Sequence, residues 1–244
     1  MPSDAVQTAF TGLAGGSNLQ QAFNFYRYIH STCRLDSIAE PRILDFGGGW
    51  GRIARLFLRE TSPDRIVVAD VQGYAIHSLR ETGGRFVAIQ NRPEPPIPTL
   101  TGRFDLIYAY SVFSHLSQEY FHAWMDYLLG LLNPGGHLVF TTRGRFHINW
   151  LTNIDQHMNE QHEVLKSYFA ELKAMAPPHQ IKQRYENGEF QFYQAGGGGV
   201  LAPTFYGEAI IPCSYIEQHF RSTFVDFRDD IEEVNQSVVV LRSA

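Results

Sequence analysis

An acid followed by alternating glycines, Asp45-Phe46-Gly47-Gly48-Gly49-Trp50-Gly51, is the segment best suited to hold a ligand. Glycine lets the chain turn sharply and lets a ligand touch bare backbone. A helix expected to open near Arg52 offers unpaired N–H groups to a negative ligand group. Nineteen residues past Gly51, Asp70 closes the apolar run Ile66-Val67-Val68-Ala69. A carboxylate at the end of a second strand can accept hydrogen bonds from both hydroxyls of a ribose. A glycine loop followed by such an acid points to a cofactor that carries a nucleoside.

A second set of residues suits the chemistry itself. Tyr110, Ser111 and His115 follow the apolar segment 104–110, and ligands of open α/β sheets bind beyond the carboxyl ends of strands. Histidine titrates near neutrality, which fits a general base, so His115 is the candidate catalytic residue. The plainer reading is that it packs or caps a helix starting at Ser117. Ser111 is a candidate acceptor contact, with strand-end packing as its alternative. Arg143 closes the fifth strand; its fork matches a carboxylate or phosphate, although a solvated arginine would look the same. Phe205, Tyr206 and Glu208 form either an acceptor wall or ordinary packing. His147, His157 and His162 lack the HExxH spacing and have no cysteine nearby. They read as solvated helix faces rather than metal ligands.

The elements that must position these groups alternate. Helical spacing of Leu19, Phe23, Tyr26 and Ile29 predicts a helix over 19–34, after a polar arm or lid at 1–18. Strands are expected at 42–46, 65–70, 85–90 and 104–110, with helices at 51–60, 73–82 and 117–131. The prolines of 91–102 exclude regular structure there. A turn at 133–136 leads into a fifth strand, 137–142. This order implies a parallel sheet with helices on both faces. Residues 143–212 break the alternation, with a helix expected at 162–175, a hairpin turn at Asn187-Gly188 and, at Gly196–Gly199, either a hinge or a disordered loop. An insertion this long usually serves binding. A helix at 214–220 with a Ser214/Glu217 capping box and an antiparallel hairpin of 222–228 and 236–242 close the chain.

Composition narrows the partners. The 244 residues carry a net charge of −5 and no basic run, which disfavours a nucleic-acid substrate. No apolar run reaches the ~20 residues that span a bilayer, so no membrane partner is expected. Two cysteines without a CxxC fit a reducing cytoplasm, and the first residues do not read as a signal peptide. Oligomeric state is not readable.

The motifs together resemble the class I S-adenosylmethionine-dependent methyltransferases. Asp45-x-Gly47-x-Gly49-x-Gly51 is similar to that family's first motif, and Asp70 matches its ribose acid. Residues 104–116 are similar to the segment lining the methyl-transfer site. LLNPGGHLVFTT (131–142) and the closing hairpin resemble the fifth strand and the antiparallel seventh. The resemblance implies an α/β Rossmann-like seven-stranded sheet, mostly parallel with an antiparallel last strand, helices on both faces and an α+β insertion after strand five. It implies one domain over 1–244: N-terminal arm and helix 1–40, cofactor-binding core 41–142, acceptor-binding insertion 143–212, last helix and hairpin 213–244. S-adenosyl-L-methionine would be held by Asp45, Phe46, Gly47, Gly49, Gly51, Asp70, Val71, Asn91 and Tyr110. Many members carry an acid after strand three that binds the adenine amino group; here Gln90 and Asn91 offer amide oxygens instead. The acceptor would be a small molecule or glycan held by Ser111, Arg143 and Tyr206, methylated on oxygen. Gly49-x-Gly51-x-x-Ala54 also satisfies a dinucleotide fingerprint, which makes an NAD-dependent oxidoreductase the runner-up. A non-catalytic S-adenosylmethionine-binding protein is the third reading.

Overall fold

The computed structural model describes residues 1–153, 170–231 and 233–244, without the side chains of residues 9 and 230. Helices α1 (Asp4–Thr11) and α2 (Gly15–Cys33) precede β1 (Ile43–Phe46). Then come β2 (Ile66–Asp70), α3 (Gly73–Glu81), β3 (Val87–Gln90), β4 (Phe104–Ala109), α4 (Gln118–Gly130), β5 (Leu132–Thr142) and α5 (Arg145–Thr152). The later elements are α6 (Pro178–Glu186), β6 (Gln191–Tyr193), β7 (Glu208–Ile210), α7 (Cys213–His219), β8 (Phe224–Ile231) and β9 (Gln236–Arg242).

The alternation does build the expected sheet. β1 is buried along its whole length and pairs in parallel with both β2 and β4, Ile43 lying opposite Ile66 and Leu106. A strand covered on both faces is apolar nearly throughout, which is why 66–69 reads as an unbroken hydrophobic run and 43–46 as one broken only by Asp45. The seven strands run β3-β2-β1-β4-β5-β9-β8, and the last pair is antiparallel. A separate two-stranded sheet joins β6 and β7, Gln191 facing Ile210. Among the described residues no helix is long and apolar enough to cross a membrane.

The chain divides into two units. The first comprises residues 1–110, 126–139 and 242–244; the second comprises 111–125 and 140–241. In the first, Phe57 stacks on Tyr108 at 5.0 Å and meets Tyr26 edge-on at 5.1 Å. In the second, Phe113, Phe121 and Phe140 meet pairwise edge-on at 5.0–6.0 Å. A smaller core there gathers Ile148, Leu151, Leu172, Ile181, Tyr185, Tyr193 and Ile210.

Several local expectations are corrected. Residues 1–18 are no loose arm: α1 fills 4–11 and α2 starts at Gly15. Polar side chains of this segment are buried partners: the Asn18 amide donates to Gln7 Oε1 at 3.2 Å. The buried stripe of α2 is Ala22, Phe25, Tyr26, Ile29 and Cys33, while Leu19 is exposed. No α-helix occupies 51–60. A 3₁₀ segment runs Ala54–Arg59, because Gly51 at φ +75° lies outside helical space. The 133–136 turn is part of β5, with Gly135 at φ +75° as its irregularity. Asn187-Gly188 ends α6 rather than turning a hairpin; Gly188 at φ +78° lets its N–H reach Tyr185 O, a helix C-terminal cap. Pro212 is the N-cap of α7, so Ser214 already lies inside the helix and makes no capping box. Of the helix expected over 162–175, residues 170–175 are helical and 162–169 lie outside the described residues.

Candidate functional site

The glycine loop leaves β1 and is tied to the end of β2. Gly47 and Gly48 both donate to Ala69 O, at 2.8 and 3.2 Å. Gly47, Gly49 and Gly51 have φ of +73°, +56° and +75°, a region closed to most side chains. Gly48 is glycine for a different reason: a Cβ there would stand 2.6 Å from Asp45 Cγ and from Val68 Cγ1. Backbone conformation thus requires glycine at three of the four positions and lack of space requires it at Gly48.

Two carboxyls sit under this loop. Asp70 accepts from the Gly49 N–H at 2.9 Å through Oδ2 and from the Gln72 N–H at 2.8 Å through Oδ1. Each carboxylate oxygen has a second acceptor site left. Burial raises its proton affinity, and those two N–H groups oppose the rise. Asp45 is buried with no hydrogen-bond partner for Oδ2. Burial pushes its carboxyl up to about 7, against the pull of the neighbouring Tyr108 hydroxyl and with the help of the Asp70 charge. Past the end of β3, Asn91 donates its N–H to Asp70 O at 3.1 Å, and its Oδ1 is likewise buried without a partner. Gln90 reaches back to Val71 O at 3.5 Å. Phe46 is buried at the end of β1, and Tyr110 meets Phe25 edge-on at 5.2 Å. All the expected cofactor residues thus belong to the first unit.

Arg52 was singled out for its position only, yet its side chain is the anchor of this region. Its buried guanidinium donates from Nη1 to Asn18 O at 2.7 Å, Asn18 Oδ1 at 2.5 Å and Gln21 Oε1 at 3.0 Å, and lies 5.1 Å over the Tyr110 ring. Through Asn18 and Gln7 the two N-terminal helices are fastened to the loop. Phe10 of α1 stacks near Tyr74 at 5.0 Å and comes within 3.5 Å of where a Cβ of Gly49 would be.

The second unit holds the other predicted residues. Ser111 has φ +58°, a conformation costly for a non-glycine residue, and its N–H donates to Thr141 Oγ1 at 2.7 Å. His115 lies against the segment leading into β7. Its Nδ1 is 2.8 Å from Gly207 O. A carbonyl only accepts, so Nδ1 carries the proton and Nε2 of the neutral ring is the basic atom. Nε2 is 3.5 Å from Ser111 Oγ, which accepts from the Gln236 amide at 2.9 Å. Tyr206 stacks on the imidazole at 5.0 Å and 15°, and Phe205 stacks on Tyr120 at 4.6 Å. Burial lowers the His115 pKa below 6.5; the Glu208 charge opposes this and Arg143 reinforces it.

Glu208 is fully buried. Its Oε1 is 2.6 Å from Arg143 Nε and 2.9 Å from His147 Nε2, and its Oε2 is 3.8 Å from His115 Nδ1. Burial alone would raise this carboxyl, but Arg143, then His147 and His115, hold it well below the usual carboxylate range. The solvated reading of His147 is thereby corrected: α5 turns it inward onto an acid that needs partners. Arg143 is likewise no merely solvated strand end. His157 and His162 lie outside the described residues. Among the described residues no group of three His, Cys, Asp or Glu is disposed to hold a metal ion. The signal that could have revealed Glu208 is an acid inside the apolar stretch Ala209-Ile210-Ile211, since a buried charge demands partners.

Residues 44–138 match a family described as a methyltransferase domain. Among solved structures, the chain is similar to an S-adenosylmethionine-dependent methyltransferase from Clostridium acetobutylicum, with 11% identity, TM-score 0.57 and 91% and 92% of the two chains covered. It is similar to the 1,6-didemethyltoxoflavin-N1-methyltransferase of Burkholderia thailandensis, with 14% identity, TM-score 0.56 and 92% and 78% covered. An O-methyltransferase family protein from the same organism aligns with 16% identity, TM-score 0.52 and 98% and 64% covered. No curated protein sequence matches the chain. The acid-and-glycine motif lies inside the matched methyltransferase domain, and the chain shares the fold of these solved methyltransferases.

Proposed function

We propose that the protein methylates a hydroxyl of a small-molecule or glycan acceptor, with His115 as the general base. The observation that carries this reading is the His115–Gly207 hydrogen bond, which commits Nδ1 as donor and leaves Nε2 to take a proton. Burial keeps the ring neutral at physiological pH, ready to act. Structural neighbours include both N- and O-methyltransferases, so the choice of oxygen rests on this base.

The residues of the first unit fit the cofactor. Its glycines leave no side chain in the way, and the orphaned oxygens of Asp45 and Asn91 are what a polar ligand would satisfy. We assign the ribose hydroxyls to Asp70, the adenine amino group to Asn91 Oδ1, and the remaining contacts to Phe46, Val71, Tyr110 and the loop. Bound S-adenosylmethionine supplies an electrophilic methyl group. The chain's part is to hold the acceptor in line with it, which can supply ~7–11 kcal/mol of the barrier, and to remove the acceptor's proton. Ser111, Arg143 and Tyr206, with the rest of 143–212, are assigned to the acceptor.

Calorimetry with S-adenosylmethionine, S-adenosylhomocysteine and NAD tests the cofactor assignment: the first two should bind and NAD should not. A screen of hydroxylated and aminated acceptors with methyl-labelled cofactor tests the rest. Transfer to amines alone would overturn the hydroxyl reading.

A further inference from the structure

Gly207 and Glu208 are consecutive, and both address the same edge of the His115 ring. Gly207 O accepts a hydrogen bond from Nδ1–H at 2.8 Å, and Glu208 Oε2 stands 3.8 Å from the same nitrogen. The carboxylate is divided between its neighbours: Arg143 and His147 lie on Oε1, whereas Oε2 is the oxygen nearest His115. At 3.8 Å this is too long for a strong hydrogen bond but close enough for charge to act, in a site with little water to screen it. At rest the group is balanced, with one carboxylate, one guanidinium and two neutral imidazoles. Adding a proton to His115 would leave a buried net positive charge.

We propose that Glu208 is a positioning residue for the base. Together with Gly207 O it fixes His115 in the Nδ1–H tautomer and stabilises the imidazolium formed when Nε2 takes the acceptor's proton. The step balances: the acceptor O–H proton passes to Nε2, the Nδ1 proton stays on Nδ1 and remains donated to Gly207 O, and the imidazolium later yields the Nε2 proton to water. The device matters only if a proton must be removed, as it must be from the hydroxyl of the proposed function. This inference rests on the reading of His115 as base. The charged and titratable groups around the ring are Glu208 from β7, Arg143 past the end of β5 and His147 from α5.

The test needs no acceptor. Ring ¹⁵N spectra of the full chain, with His115 assigned by a His115→Gln variant, report its tautomer and its titration. The neutral parent should show His115 as the Nδ1–H form; a dominant Nε2–H form would overturn the proposal without any change at Glu208. In Glu208→Gln the His115 midpoint should fall by about one pKa unit, a tenfold loss of proton affinity, and Glu208→Asp should restore part of it. An unchanged midpoint in the folded variant would overturn the proposal. Once an acceptor is in hand, Glu208→Gln should move the rising limb of the pH–rate profile to lower pH and lower kcat more than it changes KM. The base reading fails separately, if His115→Ala turns over like the parent while the spectroscopic coupling stands.

Discussion

Asp45 and Glu208 are both buried carboxyls, one in each unit, and their proton affinities move in opposite directions. Burial pushes both up. Asp45 has an oxygen with no partner and rises to about 7; Glu208 has a guanidinium at 2.6 Å and two imidazoles, and falls well below the usual range. Burial alone therefore does not decide the charge of an acid. An acid that already has its cations is part of the protein's own framework, and removing one partner of such a pair commonly costs 3–5 kcal/mol. An acid with one oxygen left unpaired beneath a glycine loop has room for a further polar group. The first unit leaves the oxygens of Asp45 and Asn91 orphaned, whereas the second gathers a guanidinium and two imidazoles around one carboxylate.

The largest expected effect separates the two units by function. His115→Ala should lower turnover by about 10²–10⁴-fold while cofactor affinity stays near that of the parent, measured by steady-state kinetics beside calorimetry. Because the ring's pKa lies below 6.5, the parent's rate should rise with pH through that lowered value and be level at neutrality. Turnover within a few-fold of the parent would leave alignment as the whole mechanism.

Next in size is the contrast in stability against pH. A carboxyl raised by folding stabilises the protein in acid, and that stability drains away as pH rises from its ordinary 3.8 through about 7. A carboxyl lowered by folding does the reverse: Glu208 contributes above its ordinary 4.5, and the contribution is lost as pH falls below it. Asp45→Asn should remove a slope worth on the order of 4 kcal/mol between pH 4 and 8, read by denaturant unfolding at each pH. Equal slopes in parent and variant would break the comparison.

Asp70→Ala is the third. Loss of charged hydrogen bonds should cost about 1.5–3 kcal/mol of cofactor binding by calorimetry. An unchanged affinity would mean that Asp70 serves only the Gly49 and Gln72 N–H groups. The smallest effect compares glycines. Gly51 and Gly199 both have positive φ, at +75° and +59°, but a Cβ at 51 would stand 2.5 Å from Leu79 Cδ1, whereas 199 has open space. Gly199→Ala should cost about 1–2 kcal/mol of stability from backbone strain alone, and Gly51→Ala more than that. Equal melting temperatures for the two variants would show that Leu79 yields freely.

The glycine loop and the strands around it were readable because their signals are local. Glycines that must take positive φ, a buried strand before them and an acid at the next strand end all sit within 28 residues of chain, Ile43 to Asp70. The errors came where a residue's partner is far away in sequence. Gln7 and Asn18 fell in a segment read as a polar arm or lid because nothing in the nearby chain says that they bond each other, or that Asn18 bonds Arg52. His147 looked solvated because its partner, Glu208, lies 61 residues further on. Asn187-Gly188 was misread because the same positive φ serves a hairpin turn and a helix end, and the sequence does not say which precedes it.

By itself, then, the sequence determined the succession of strands from β1 to β5, the glycine loop, the acid that ends β2 and the place of His115 past β4. Those follow from burial on both faces of a strand and from backbone conformations that few residues can adopt. Only the tertiary structure decided which atom of His115 is basic, since that depends on the Gly207 carbonyl 92 residues away. Only the tertiary structure set Asp45 and Glu208 apart, because two buried acids differ in nothing but the company that folding brings them.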